Sequence, residues 1–323
     1  ATLVSVLREI ELVPDAEVTV ECNPESVDEA KLAAYRAGGV TRLSFGVQSM
    51  VPRVLEALGR WHDPGSVVRA VRSARSAGFD AFNLDLVFGA SGESVADWRE
   101  TLEAILALDP PHVSAYALTV EAATPLARRI RVGEVSAPDE DDQAEKYELV
   151  DELLEGSGRP WYEISSWARP GYECRHHLLY WSQGDYLGIG CAAHGHVDGR
   201  RWWNVRAPER YIERVSAGVS PEAGYEELAA DQREEEALLL AMRTRFGAEV
   251  DDDAGLLEDG LARKLGSRVV LTLRGRLLAN EATTRILVRR EDVLGRGAAS
   301  GDTPSTEAAT EELKEGQLQP VEC

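Results

Sequence analysis

Cysteine is scarce. Cys22, Cys174, Cys191 and Cys323 are the only four in 323 residues, and no CxxC or CxxxC spacing relates them. A disulfide-stapled secreted scaffold and a self-contained zinc site are both disfavoured. No charged-then-apolar leader opens the sequence, and no apolar run approaches bilayer-spanning length. A cytoplasmic protein without stable membrane insertion is therefore expected. Basic side chains are outnumbered: 35 Lys and Arg against 56 Asp and Glu leave a net charge of −21. That sign argues against nonspecific binding to nucleic acid or anionic lipid. No GxGxxG follows a strand-like segment, so a dinucleotide site has no support.

What is present is a repeating strand-and-helix pattern. With 44% hydrophobic residues, the chain is long enough for one large domain and a smaller one. Leu43, Phe45 and Val47 alternate with Arg42, Ser44 and Gly46, the period of a β-strand. Val18–Cys22, Phe79–Gly89 and His112–Leu118 read as further strands, with helices between them. Ser26 and Glu29 have the spacing of a capping box for the helix that ends at Gly38-Gly39. The strand spacing predicts parallel βαβ units with right-handed crossovers, in a TIM-like barrel or an open doubly wound sheet. Thr2–Leu12 reads as a helix with Leu3, Val6, Leu7 and Ile10 on one face. Ala1 is not Met, and residues 1–13 resemble the middle of a helix, so the first members of the strand rim are expected upstream of this sequence.

Beyond residue 118 the style changes. Asp139–Glu155 is an acidic helix, residues 160–206 are rich in aromatics, glycine and histidine, and 207–217 and 231–245 read as helices. Residues 256–288 suggest a small helix-and-hairpin unit of winged-helix type. From about Gly295 the composition predicts a disordered acidic tail.

Four polar groups fall at or just past strand ends: Glu21, Gln48, Arg60 a loop later, and Asp85. Two carboxylates, an amide and a guanidinium on one rim suit a ligand with a ribose, an amine and a carboxylate. The plainer alternative is that Glu21 and Asp85 cap neighbouring helices and Arg60 pairs with one of them. A second cluster is Cys174-Arg-His-His-Leu-Leu-Tyr-Trp181, followed by Gly188-Ile-Gly-Cys-Ala-Ala-His194-Gly-His196. Imidazole ligates iron, haem iron included, and Tyr180 and Trp181 could pack on a flat macrocycle. The alternative is a set of hydrogen-bonded core or surface histidines. A metal site from His176, His177, His194 and His196 is conceivable, but adjacent His176 and His177 point in different directions on a strand or a helix, which disfavours a shared ion. Trp202 and Trp203 read as core or pocket wall.

The ordered series Val20-Glu-Cys-Asn-Pro-Glu25, Arg42-Leu-Ser-Phe-Gly-Val-Gln48, Gly59-Arg-Trp-His62, Asn83-Leu-Asp-Leu-Val-Phe-Gly89 and His112-Val-Ser-Ala-Tyr-Ala-Leu118 closely resembles the oxygen-independent coproporphyrinogen III oxidase group of radical SAM proteins. The His-His-Leu-Leu-Tyr-Trp run resembles the HNxxYW haem-binding motif of the HemW-type haem-chaperone branch. Gly188–Gly195 and Arg274-Gly-Arg-Leu-Leu-Ala-Asn280 are also similar to that branch. The resemblance spans roughly residues 1–288. It implies a partial (β/α)6 TIM-like barrel lacking its first strands, with S-adenosylmethionine at Glu21, Gln48, Arg60 and Asp85. It also implies His176 as haem iron ligand, with Tyr180 and Trp181 lining that site.

Three departures accompany the resemblance. The CxxxCxxC loop that holds the family's [4Fe–4S] cluster does not occur, so this chain as given is not expected to bind the cluster. His177 stands where the motif has Asn, and the glycine run carries Cys-Ala-Ala. The implied organisation is residues 1–135 as the remaining barrel, 136–220 as the haem-motif region, 221–290 as a winged-helix-like domain and 291–323 as the tail. The implied function is a chaperone that binds haem and passes it to an acceptor protein, using a [4Fe–4S] cluster and S-adenosylmethionine in the full-length protein. The rival is the radical decarboxylase of porphyrin biosynthesis for which the wider group is named, and a third reading is an inactive fragment.

Overall fold

Arg42, Ser44 and Gly46 face one side of a strand and Leu43, Phe45 and Val47 the other, and this alternation fixes how the chain folds. The three apolar side chains are fully buried against helices. The polar set faces a concave surface. The computed structural model describes residues 2–298.

Helix α1 (Thr2–Leu7) leads into β1 (Thr19–Cys22), α2 (Glu29–Ala37), β2 (Arg42–Gln48), α3 (Pro52–Ala57), α4 (Pro64–Ser76), β3 (Phe82–Phe88), α5 (Val95–Ala107) and β4 (His112–Ala117). The four strands are parallel, as the βαβ spacing requires, with Glu21 beside Ser44, Gly46 beside Asp85 and Asp85 beside Ser114. Val67, Ala70, Val71 and Ala74 of α4, and Trp98, Leu102 and Ile105 of α5, bury the outer face of the sheet. Each such large apolar side chain contributes about 1.5–3 kcal/mol. Gly78, at φ +82°, ends α4 in the left-handed conformation that favours glycine.

Several elements differ from the sequence reading. Helix α2 is capped by Asp28, whose carboxylate accepts from the Lys31 amide, while Ser26 belongs to a 3-10 turn over Pro24–Ser26. Pro24 fixes that turn, so the helix can begin only after it. Helix α1 stops at Leu7: Leu7 packs on the core, but Val6 and Ile10 are half exposed and hold no further turn in place.

Helices α6 (Pro125–Arg131) and α7 (Glu140–Gly156) precede two short strands, β5 (Trp161–Glu163) and β6 (Ser166–Ala168). These extend the main sheet, in the order β1-β2-β3-β4-β6-β5, with β6 antiparallel to β4. Three-residue strands are too short to declare themselves by alternation, and the sheet consequently runs past residue 135. β1 is its other edge.

Helix α8 (Arg175–Trp181) follows, then a three-stranded sheet of β7 (His194–Val197), β8 (Arg200–Asn204) and β9 (Glu222–Glu227), with α9 (Pro208–Ser216) between the last two. The C-terminal part holds α10 (Ala230–Met242), β10 (Ala248–Glu249), β11 (Ala262–Leu265), β12 (Arg268–Leu271), α11 (Leu273–Leu277) and α12 (Ala279–Ala298). Its strands form an antiparallel sheet, order β10-β12-β11, around a core that includes Leu238, Met242, Leu256 and Ile286. Residues 256–288 hold a hairpin and helices, but the stretch 254–260 forms turns and the helices α11 and α12 follow the hairpin. Residues 291–298 continue α12, where loss of structure was expected from about Gly295. The rest of the acidic tail, 299–323, lies outside the described residues.

Arg276 joins the C-terminal part to the barrel. Its guanidinium makes a bidentate pair with Asp151 (2.8 and 2.7 Å) and lies 4.4 Å from the Trp161 ring centroid and 5.5 Å from that of Tyr147. No helix among the described residues is long and apolar enough to cross a membrane.

Candidate functional site

The polar face of the sheet floors a cavity of about 1040 Å³. Alternate positions supply the floor: Thr19 and Glu21 from β1, Arg42, Ser44, Gly46 and Gln48 from β2, Asn83 and Asp85 from β3, and His112 from β4. Arg60, exposed on the loop after α3, reaches its mouth, and Cys174, His176 and His177 close another side. All four residues assigned to S-adenosylmethionine thus meet in one cavity, and His176 lines it too. The helix-capping alternative is not realised. Helices α2 and α5 are capped by Asp28 and Ser94, and Glu21 and Asp85 cap neither.

Asp85 does not stand at a strand end. It is the fourth residue of seven in β3 and points into the cavity from the middle of the sheet. Ser44 Oγ donates to its Oδ2 at 2.6 Å and Asn83 Nδ2 to its Oδ1 at 2.7 Å. Burial pushes the Asp85 carboxyl up to about 6, against these hydrogen bonds, which act to lower it. Gln48 ends β2 in the left-handed region, φ +64°, where a non-glycine residue is strained. Gly46 gives it room, since a Cβ there would come 3.0 Å from Gln48 Nε2.

A buried chain of hydrogen bonds leads from Asp85 towards α8. Asn83 Oδ1 lies 2.7 Å from His112 Nδ1, and His112 Nε2 lies 2.7 Å from the Tyr162 hydroxyl. That hydroxyl accepts from the Cys174 amide at 3.2 Å. Burial holds His112 well below the ordinary imidazole range, with the Arg42 charge adding to the effect.

At the start of α8, His176 Nδ1 sits 3.4 Å from Glu17 Oε1 and 3.1 Å from Cys174 Sγ. Burial alone would raise the Glu17 carboxyl, but the His176 hydrogen bond and the Arg42 charge hold it below the usual range. Burial, then the charges of His176 and Arg42, push His177 down to about 4. Sequence reasoning missed Glu17, which lies 159 positions from His176 in a turn that carries no signal of its own.

Tyr180 and Trp181 are not among the residues lining the cavity. Tyr180 meets the His176 ring edge-on, with centroids 5.8 Å apart, and stacks in the same manner on Tyr186 at 4.7 Å. The buried Glu163 carboxyl accepts from the Ser165 amide at 3.2 Å, and burial pushes it up to about 7. Tyr180 lies four residues after His176 and Trp181 four after His177, so both share the helix face of the two histidines, one turn further on. Trp202 and Trp203 lie on β8, away from the cavity. The first turn of α8 brings His176 and His177 together, ring centroids 4.5 Å apart, contrary to the divergence expected of adjacent histidines. Cys174 caps the helix just before them and lies beside both.

The cavity suits a polar ligand. Arg42 Nη2 and Thr19 Oγ1 both belong to cavity-lining residues, and each is buried without a hydrogen-bond partner among the described residues. A [4Fe–4S] cluster is a different matter. Among the described residues, the one group of His, Cys, Asp or Glu side chains close enough to share an ion contains a single thiol, and a cluster needs several thiolates arranged together.

Residues 2–105 match the radical SAM superfamily, which implies S-adenosylmethionine and a [4Fe–4S] cluster. The chain is 46% identical over 296 residues to "Heme chaperone HemW" of Mycobacterium tuberculosis, covering 89% of this chain and 76% of that protein. It is 34% identical over 282 residues to the protein of the same name from Bacillus subtilis, covering 82% and 74%. Mouse "Radical S-adenosyl methionine domain-containing protein 1, mitochondrial" is 35% identical over 272 residues, covering 84% and 58%. In structure, the chain is similar to the coproporphyrinogen III oxidase HemN of Escherichia coli, a radical SAM enzyme, with TM-score 0.74, 21% identity, and 88% and 73% coverage. At that identity the likeness establishes the fold alone.

Proposed function

The chain belongs to the HemW haem-chaperone family of radical SAM proteins, and on that footing we propose that it binds haem through His176 and hands it to an acceptor protein. One observation carries this reading. His176 lines the same cavity as Glu21, Gln48, Arg60 and Asp85, so the haem-motif histidine and the S-adenosylmethionine residues serve one chamber.

His176 supplies the imidazole. A proton held at Nδ1 towards Glu17 fixes the orientation of the ring and leaves Nε2 as the iron-ligating atom, the usual support for a histidine ligand. Tyr180, edge-on to His176, braces the ring. A single imidazole ligand in an open cavity suits a carrier, because the cargo must leave again.

Glu21, Gln48, Arg60 and Asp85 would hold S-adenosylmethionine. The carboxylates accept from ribose hydroxyls, Gln48 offers both a donor and an acceptor, and Arg60 pairs with the methionine carboxylate. The two unpartnered groups on Thr19 and Arg42 add one acceptor and one donor within the same walls. When bound, S-adenosylmethionine supplies a reducible sulfonium. The described residues do not fit a cluster, and no step through one follows from them.

The test is transfer. The chain is loaded with hemin, freed of excess and mixed with an apo-haem protein of distinct Soret maximum. The expected result is decay of the chain's Soret band as the acceptor's band rises, at a rate faster than from free hemin. Haem that stays on the chain, or equal loading of His176→Ala, would overturn the reading.

A further inference from the structure

Cys174, His176 and His177 do more than converge. Cys174 Sγ lies 3.1 Å from His176 Nδ1 and 3.7 Å from its Nε2. Glu17 Oε1 lies 3.7 Å from the same sulfur and 3.4 Å from Nδ1. One ligating atom from each of Cys174, His176 and His177 falls within 4.8 Å of the others. Tetrahedral zinc, with Zn–S about 2.3 Å and Zn–N about 2.0–2.1 Å, spaces its ligand atoms about 3.3–3.6 Å apart. The contacts of Cys174 Sγ, His176 Nδ1 and Glu17 Oε1 bracket that spacing, and His177 brings a further ring nitrogen within 4.8 Å of the Cys174 and His176 ligand atoms.

We propose that Cys174, His176 and His177 form a site for a soft divalent cation, zinc above all, with the Glu17 carboxylate as fourth ligand. The donor set selects the ion. Thiolate with imidazole suits zinc, whereas magnesium and calcium take oxygen ligands. One thiolate and one carboxylate neutralise the dication. On binding, the Cys174 thiol loses its proton to solvent as the sulfur–metal bond forms, and both imidazoles bind neutral. Nothing is oxidised or reduced. All three ring and thiol groups line the cavity, so the ion has an entry path. Glu17 precedes β1 and Cys174 precedes α8, so the ion ties two distant parts of the chain together.

The site shares His176 with the haem reading but does not depend on it, and metal and haem at His176 exclude each other. The test uses the full chain without haem and Co²⁺ as a spectroscopic stand-in for zinc. One Co²⁺ per chain is expected, with a thiolate-to-cobalt charge-transfer band and the visible bands of tetrahedral cobalt, both removed by added zinc. Cys174→Ser should lose the charge-transfer band. His177→Asn should weaken cobalt at least about tenfold and leave the Soret response to hemin in place. No charge-transfer band in the parent chain, or an undiminished band in Cys174→Ser, would overturn the site. If hemin gives no Soret band while the cobalt bands appear, the haem reading fails and the metal site stands.

Discussion

Asn83 Oδ1 faces His112 Nδ1 across 2.7 Å, and this contact sets the direction of every hydrogen bond between the cavity floor and helix α8. Above about pH 6 the Asp85 carboxylate is ionised and can only accept, so the Asn83 amide nitrogen must face it and the amide oxygen must face His112. His112 therefore carries its proton on Nδ1. Its Nε2 then accepts from the Tyr162 hydroxyl, whose oxygen accepts in turn from the Cys174 amide.

Tyr162→Phe breaks this chain at its middle. It leaves the His112 Nε2 acceptor and the Cys174 amide donor buried without partners. An unsatisfied buried group costs about 1–3 kcal/mol. Urea denaturation should give a loss of at least that size, and parent-like stability would show that the chain of bonds carries no weight.

Asp85 makes stability depend on pH. Its folded pKa of about 6 is raised above the ordinary 3.8. The folded chain therefore holds this proton more tightly than the unfolded chain. The contribution is complete below about pH 3.8 and lost as pH rises through about 6. Asp85→Asn, neutral throughout, should lose less stability than the parent across that window. Parallel curves would mean that Asp85 titrates normally.

How far the sequence disclosed this arrangement depends on the range over which each cause acts. Alternation along β2 exposed both the strand and its polar face, because the side chains of one strand report their own surroundings. His112 and Ser114 share that alternation on β4 and lie in a segment recognisable from its order in the series. The antiparallel strands β5 and β6 were not legible, being three residues each. Glu17 was not legible either, since only the closed fold brings it to His176. The meeting of His176 with His177 was misjudged because Cβ directions on a helix do not fix where two imidazole rings lie, and these rings turn to meet edge-on, 4.5 Å apart.

Ala192 is a second place where local geometry exceeds what the residue type favours. It adopts φ +60° in the loop before β7, where its amide donates to Val205 O at 3.0 Å. Left-handed backbone costs an L-residue about 1–2 kcal/mol, and glycine's greater loss of freedom returns about 0.5–1 kcal/mol of that. Ala192→Gly should therefore stabilise the chain by about 0.5–1 kcal/mol, visible as a higher thermal midpoint. A lower midpoint would mean that the Ala192 methyl makes contacts worth more than the strain.

Haem carriage as proposed requires that His176 ligate the haem iron. Hemin titration of the full chain, followed in the Soret region, with His176→Ala alongside and circular dichroism to establish that both are folded, decides it. The expected result is a saturable Soret band in the parent and binding at least about tenfold weaker in the variant. Two folded proteins with superimposable titration curves would contradict the assignment.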